Sequence, residues 1–466
     1  MLQVKTFQTE DKLRNVHEEA RMNDEPLLMS ITERIDPLDP FSFFEQGKQV
    51  DMHRHFWKSA EEDFTLVGIG SAVRISKEGE GRFQETEQEL FDWRKSVRQW
   101  NPYNKKGTGT VALGGFGFRP ESGGEEPWQE FPNSSMTIPE FLLTNDAEGS
   151  FLTTNYLVSP EEDVETIICR MEEDKERLQT SDSSGDTETG VRLEKIEEVR
   201  PKEWKQSIAD ATAELKAGTL SKVVLAREVR LTFDSEASIT KVLKDLSDMQ
   251  NSSYVFAFEH GGSYFVGATP ERLVKVEDDE LFSACLAGTT KRGSSEEEDE
   301  TLGLALLNDQ KNRLEHDYVV QMIRGAVENY SVNVEIPEAP SLYKLRNLQH
   351  LYTPVKAKLK EGYSLLDVVK DLHPTPALGG LPQKEAVTYI SLHEVMNRGW
   401  YASPVGWIDG GRNGEFAVAI RSALIRGDKA SLFAGCGVVE DSKPEEEYEE
   451  TKVKLKPMLA VLGGEE

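Results

Sequence analysis

Cysteine is scarce in this sequence: Cys169, Cys285 and Cys436 are the only three among 466 residues. An odd, widely spaced set builds neither a disulfide framework nor a zinc knuckle. Long apolar runs are missing as well; none approaches the roughly 18 residues that a membrane span requires. The opening stretch MLQVKTFQTEDKLRNV lacks the apolar centre of a signal peptide, so the expected location is the cytoplasm. Basic residues are in deficit, 54 Lys and Arg against 83 Asp and Glu, for a net charge of −29. Such a field repels nucleic acid and anionic membranes and argues against both as partners. An anionic substrate would need that field reversed locally, by clustered cations or a metal ion. Walker-type phosphate loops, HExxH helices, short repeats and coiled-coil heptads are absent too.

Core material is ample, with 38% hydrophobic and 8% aromatic residues. The length fits two or three ordinary domains or one large one. The N-terminal part alternates strand-like and helix-like segments between Gly and Pro breaks. TLVGIGSAVRI (65–75) and TVALGGFGF (110–118) read as strands. Along 161–180, Val164, Ile167, Ile168 and Met171 share one helical face. The polar, Gly/Ser-rich SDSSGDTETG (181–190) reads as an exposed loop. It separates a variable N-terminal region, 1–195, from a more tightly specified region, 196–466, of the same fold.

From residue 201 the pattern sharpens. EWKQSIADATAELKAG is an amphipathic helix ending at Gly218. SKVVLAREVRLTF is a strand, and YVFAFEH with SYFVGATP forms a hairpin around Gly261–Gly262. DQKNRLEHDYVVQMIRGAVENY is a long helix capped by Asn308 or Asp309. LQHLYTPVKAKL reads as a strand, FAVAIRSALIRG with ASLFAGCGVVE as a second hairpin, and KPEEEYEETKVKLKPMLAVL as the closing helix. Hairpins with interspersed helices predict an α+β fold with large antiparallel sheets.

Several motifs carry little. GTGTVA (107–112) matches GxGxxA but runs into the β-rich LGGFGF instead of opening a helix, which argues against a nucleotide site. His53 and His55 have the spacing of one strand face; without further ligands nearby they read as ordinary surface or core histidines. SSEEEDE (294–300) reads as a solvated loop or a helix start.

Other residues carry more. In the closing helix Glu445, Glu446, Glu447, Glu449 and Glu450 precede Lys452, Lys454 and Lys456. Acids first and bases last complement the helix dipole, and this accounts for the order. The spacing of Glu447, Glu450 and Lys454 also puts two carboxylates and an ammonium on one face. Such a set could hold a hard cation and a carboxylate bound to it. One helix cannot complete an Mg²⁺ site, and Glu315 on the long helix is a candidate for the facing carboxylate. Lys222 opens the apolar run VVLA. At a strand start it would snorkel to water; buried, it would lose its proton more readily and could act as a general base. Glu271, after Pro270, is either a turn carboxylate or a general acid fixed by a rigid turn.

The strings KVVLAR (222–227), GATPERL (267–273), LAGTTKRG (286–293), KNRLEH (311–316), LQHL (348–351), HPTPALGGLP (373–382), RGWYASPVGW (398–407), AIRSA (419–423), AGCGVVEDS (434–442) and EEYEETKVK (446–454) come in an ordered series across the C-terminal part. In order and spacing this series closely resembles the chorismate-binding enzymes, which include anthranilate synthase large subunits and aminodeoxychorismate, salicylate and isochorismate synthases. DPLDPFSFF (36–44) and the chain length resemble the bacterial isochorismate synthases of menaquinone formation.

The resemblance implies the family fold, large antiparallel sheets packed as a central sandwich with surrounding helices. It implies Mg²⁺ as cofactor, with Glu315 and Glu450 as ligands and Glu447 acting through water. Arg421, Lys454 and the backbone at Gly435 would clamp the anionic oxygens of chorismate. His350 would lie beside the ring, and Gly288 and Thr289 would line the pocket. Lys222 would be the base and Glu271 the acid. Three positions discriminate within the family. Lys222 stands where anthranilate synthases carry Gln. Ala287 stands where aminodeoxychorismate synthases carry a lysine nucleophile. Asn312 stands where amine-transferring members carry Asp. All three favour water as nucleophile, hence an isochorismate synthase; the long N-terminal region favours the menaquinone route, and the expected assembly is a monomer with no glutaminase subunit. Tyr401 in the pocket keeps a salicylate synthase as the alternative, and a siderophore route is a second.

Overall fold

The computed structural model describes residues 2–121, 124–179, 190–344 and 348–464. The loop expected at 181–190 lies outside them except for Gly190. Among the described residues the strands form two large sheets, one of 13 strands and one of 10. Neighbouring strands are antiparallel throughout, apart from Leu27–Ile35 beside Arg98–Trp100. The α+β expectation therefore holds, with 11 helices packed around the sheets among the described residues.

Strand alternation explains how the layers form. Successive side chains of a strand point to opposite faces. Along Tyr254–His260, Phe256 and Phe258 enter a core shared with Trp407, Phe416 and Val274 of the second sheet. Val255 and Ala257 point the other way, into a core closed by Phe43 and Phe44, Leu243, and Met458 from three helices. Each such large apolar side chain stabilises the fold by about 1.5–3 kcal/mol when fully buried.

Both sheets run across position 195/196, which itself falls inside the strand Leu193–Glu198. The first sheet is joined where Tyr254–His260 pairs with Arg54–Lys58, Phe256 opposite Trp57. The second is joined where Pro404–Asp409 pairs with Val111–Phe116, Gly406 opposite Gly114. A Cβ on Gly114 would meet the Ser135 carbonyl oxygen at 1.8 Å, and one on Gly406 the Glu415 carbonyl oxygen at 2.0 Å. These glycines are what allows such close backbone approach in a buried sheet.

Two expected strand runs divide between the sheets. The 65–75 run is Phe64–Ile69 in the first sheet and Val73–Lys77 in the second. Gly70, at φ 76°, makes the corner. The expected hairpin at 416–440 is likewise shorter: Gly414–Val418 belongs to the second sheet, and only Ser422–Arg426 pairs with Lys429–Val438 in the first. Apolar character is the same on both sides of each crossing, so a hydrophobicity pattern does not reveal it. The acidic run 294–300 starts the helix Glu296–Asn308, capped by Ser295. All three cysteines are free, and no helix among the described residues is long and apolar enough to cross a membrane.

Candidate active site

The site lies where the chain crosses between the sheets. Ser263–Thr269 ends in the first sheet and Arg272–Glu277 begins in the second, leaving Pro270 and Glu271 at the crossing. Val418 and Ser422 bracket a second crossing, which contains Arg421 at φ 53°. The two crossings brace each other. The Val418 N–H donates to the Glu271 carbonyl at 2.9 Å, and the Ala268 N–H donates to the Arg421 carbonyl at 3.1 Å. An arginine in the left-handed region costs backbone energy, and these bonds hold it there.

Burial pushes the Glu271 carboxyl above its ordinary value, against the opposing pull of Arg421, Lys454 and Lys222. A carboxylic acid in that setting tends to hold its proton. Burial lowers Arg421, while Tyr401, Glu271 and Glu450 pull it back up. Its guanidinium makes no hydrogen bond among the described residues. The Tyr401 hydroxyl, pushed up to about 12 by burial, stands 3.4 Å from where a Cβ on Gly435 would lie.

Lys222 begins the strand Lys222–Phe233, in which Val224 lies opposite Gly437. A Cβ on Gly437 would come within 2.9 Å of Lys222 Cε, so the glycine makes room for the lysine. Its Nζ lies 2.5 Å from Glu315 Oε1. Glu315 is carried by the helix Gln310–Tyr330, capped by Asp309, which accepts from the Asn312 N–H at 2.7 Å. Of the two expected caps, Asp309 is the one used. On the closing helix Pro444–Val461, Lys454 donates to the Gly435 carbonyl at 2.8 Å and pairs with Glu450 at 2.6 Å.

The remaining expected residues sit on the pair Glu280–Lys291 and Leu348–Leu359. A register shift between Leu286 and Thr289 bulges out Ala287 and Gly288. Gly288, at φ 84°, faces Asn312, whose Oδ1 would lie 3.2 Å from a Cβ there. Thr289 Oγ1 is 2.9 Å from His350 Nδ1, directly across the strand pair. Burial lowers the His350 imidazole, and the Gly288 carbonyl draws it partly back. Behind the bulge His316 donates from Nδ1 to the Ala287 carbonyl at 3.0 Å, which leaves Nε2 to accept from Thr353 Oγ1 at 2.7 Å.

Among the described residues no three His, Cys, Asp or Glu side chains gather into a ready metal set. Glu315 and Glu450 each close on a lysine instead. Glu447 is different. Its Oε1 accepts from Ser442 Oγ at 2.7 Å, but its Oε2 is buried without a partner. An orphaned carboxylate oxygen one turn before Glu450 on the same helix is a donor of the kind hard cations take, so Glu447 and Glu450 suit Mg²⁺ by their chemistry, although the three carboxylates do not gather into one set.

Sequence reasoning missed Glu394 and Arg398, whose side chains are 2% and 1% exposed. Arg398 bonds Glu394 twice, at 2.6 and 2.7 Å, and donates to the carbonyls of Leu378 and Val224 at 2.9 and 2.8 Å. Glu394 accepts from the Ala226 N–H at 2.8 Å. The pair thus clamps the strand that begins with Lys222. Their i, i+4 spacing was the available signal, although no helix spans them.

The fold brings Arg421, Lys454 and Lys222 around the Glu271 carboxyl, a cluster of cations and one acid of the kind found in enzymes that act on small anions. Residues 14–463 match the chorismate binding enzyme family, and the chain belongs to that family. It is 44% identical to isochorismate synthase MenF of Bacillus subtilis, over 99% of this chain and 98% of that protein. It is 36% identical to the salicylate biosynthesis isochorismate synthase of Pseudomonas aeruginosa, over 96% of this chain and 93% of that one. The solved structure of MenF, the menaquinone-specific isochorismate synthase of Escherichia coli, has the same fold, with a TM-score of 0.78, 24% identity, and coverage of 97% of this chain and 99% of that one.

Proposed function

We propose that this enzyme is an isochorismate synthase serving menaquinone formation, converting chorismate to isochorismate. The carrying observation is the chemistry around the bulge at Gly288. Lys222 and the half-buried Glu271 share one cation-rich site, and Ala287 offers no nucleophile beside Gly288. The full-length likeness to an isochorismate synthase supports the same reading.

In the proposed reaction Lys222 removes a proton from water as the water adds to ring C2. The double bonds shift, and Glu271 gives its proton to the departing C4 hydroxyl. One hydroxyl is gained and one lost, so the step is an isomerisation that runs both ways with the two residues exchanging roles. Arg421 and Lys454 hold carboxylate oxygens, with the Gly435 backbone beside them. Thr289 and His350 form the wall next to the ring. Glu315 and Glu450 would hold Mg²⁺, with Glu447 reaching it through water. When bound, the ion neutralises and positions the ring carboxylate. The protein acts in the cytoplasm as a monomer, with no glutaminase partner.

Incubation of the purified protein with chorismate and Mg²⁺, followed by product separation, tests the reading. Isochorismate is the expected product. Salicylate with pyruvate would assign the alternative activity, and an aminated product formed only with ammonia would overturn the use of water.

A further inference from the structure

Two histidines hold the bulge at Gly288, one in the proposed wall of the site and one fully buried. Between the opposed pairs Leu286–Tyr352 and Thr289–His350, the residues Ala287 and Gly288 stand against the single Leu351. Such a bulge interrupts the ladder, so its carbonyls need partners elsewhere. The Gly288 carbonyl meets the imidazole of His350. The Ala287 carbonyl meets that of His316.

His316 is 0% exposed and shares the buried face of the helix Gln310–Tyr330 with Val319, Val320 and Ile323. Its neighbour Glu315 turns instead to Lys222. The imidazole joins three elements. Its Nδ1 lies 3.0 Å from the Ala287 carbonyl, in Glu280–Lys291, and its Nε2 lies 2.7 Å from Thr353 Oγ1, in Leu348–Leu359. A carbonyl only accepts, so Nδ1 carries the proton and Nε2 accepts from the threonine hydroxyl. Burial disfavours a second proton, against the pull of the Ala287 carbonyl and Asp317. Cys285 Sγ lies 3.5 Å from the same Nδ1, but its thiol has the His316 carbonyl to donate to, at 3.7 Å. Burial pushes that thiol up, so it keeps its proton.

Packing alone accounts for a buried ring. It does not account for two nitrogens matched in opposite senses, one giving to a bulge carbonyl and the other accepting from the facing strand. We propose that His316 is a positioning residue for the proposed isomerisation, holding the bulge so that Gly288 and Thr289 line the site in fixed register with the helix that carries Glu315. It acts through the Nδ1–H bond to Ala287 and touches no substrate. The proposal rests on the isochorismate synthase reading.

Steady-state kinetics with chorismate and thermal melting of two variants test it. In His316→Asn the amide nitrogen can take the place of Nδ1 and still donate to Ala287. In His316→Gln the longer amide reaches toward Thr353 and leaves Ala287 without its donor. His316→Gln should lower kcat/KM about tenfold or more, as a small misplacement near the reacting atoms does. The loss should fall on kcat more than on KM, because the clamp of Arg421 and Lys454 is untouched. His316→Asn should recover most of that loss, although its smaller side chain leaves a cavity and should melt lower. Activity that instead follows melting, with Gln above Asn, would overturn the proposal and leave packing as the role of His316. Nitrogen NMR of wild-type protein carrying labelled histidine gives a second measurement, independent of whether those variants fold. His316 should be neutral with its proton on Nδ1, its signal assigned by the change that the isosteric Thr353→Val causes at Nε2. A proton on Nε2 would overturn the proposal as well. Wild-type protein that forms no isochorismate would sink the functional reading and this inference together, whereas wild-type turnover with unchanged kinetics in His316→Gln would sink this inference alone.

Discussion

Lys222 Nζ lies 2.5 Å from Glu315 Oε1, so the proposed general base is tethered to a proposed metal ligand. The second proposed ligand repeats the arrangement, with Glu450 2.6 Å from Lys454. Each carboxylate that would meet a cation already has an internal ammonium beside it. Lys222 ties the helix Gln310–Tyr330 to the strand Lys222–Phe233, whereas Glu450 and Lys454 lie one turn apart on a single helix. The same arrangement makes metal dependence accessible to a direct test.

Glu315→Gln and Glu450→Gln should each abolish turnover at ordinary Mg²⁺ while leaving a cooperative thermal transition. Excess chelator should silence the wild type, and added Mg²⁺ should restore it. Activity that persists in chelator would remove the metal from the proposed mechanism. Mg²⁺ prefers about six oxygens and keeps several waters, so loss of one of few protein ligands should not be masked by the others.

Arg421 provides a separate test of the anion clamp. Arg421→Lys keeps the charge but loses the planar fork. KM for chorismate should rise about tenfold or more, as expected when a charged hydrogen bond of about 1.5–3 kcal/mol is lost. Unchanged chorismate affinity in this variant would show that the residue only holds the crossing at 419–421. Thermal melting separates the two cases, because a purely structural role would lower stability without a selective effect on KM.

Much of this architecture is legible in the sequence, and the rest is hidden for identifiable reasons. Alternation along YVFAFEH places Phe256 and Phe258 on one face and Val255 and Ala257 on the other, as found. Glycines at 261 and 262 mark the hairpin, and both have positive φ. The crossings at 70–72 and 419–421 are not legible, because a strand that changes sheets stays apolar on both sides. Lys222 and Glu315 stand out by residue type, yet 93 positions separate them, and no local pattern says that they touch. His53 and His55 show their strand spacing, but His260 joins them only through the pairing of Tyr254–His260 with Arg54–Lys58.

The buried pair Glu394–Arg398 makes a prediction about positioning. Removing one partner of a buried ion pair leaves an uncompensated charge and costs about 3–5 kcal/mol. Arg398→Met should therefore lower the denaturation midpoint strongly. Arg398→Met combined with Glu394→Gln should recover part of the loss, because no lone charge remains. In the double variant kcat should fall more than KM rises, since the clamp holds Val224 and Ala226, just beyond Lys222. Equal stability of the single and double variants would show that the hydrogen bonds to Leu378, Val224 and Ala226, and not the ion pair, hold this strand.

The acid–base pair yields the last prediction. Burial raises the Glu271 carboxyl above its ordinary value, so the forward reaction should lose rate as pH rises through that raised value and the acid gives up its proton. Linkage gives the matching sign for stability. A carboxyl whose pKa is raised by folding contributes stability that is fully present below its unfolded value and lost as pH rises through its folded one. Glu271→Gln cannot ionise, so its stability should vary less with pH across that window. Lys222→Ala and Glu271→Gln should each lose roughly two to four orders of magnitude in rate, the usual range for a general acid or base. Chorismate binding should change far less, because neither residue is assigned to its carboxylates. Both variants should lose the conversion of isochorismate to chorismate as well, since the two residues exchange roles in reverse. Near-wild-type rates for Lys222→Ala in both directions would sink this assignment whatever Glu271→Gln does.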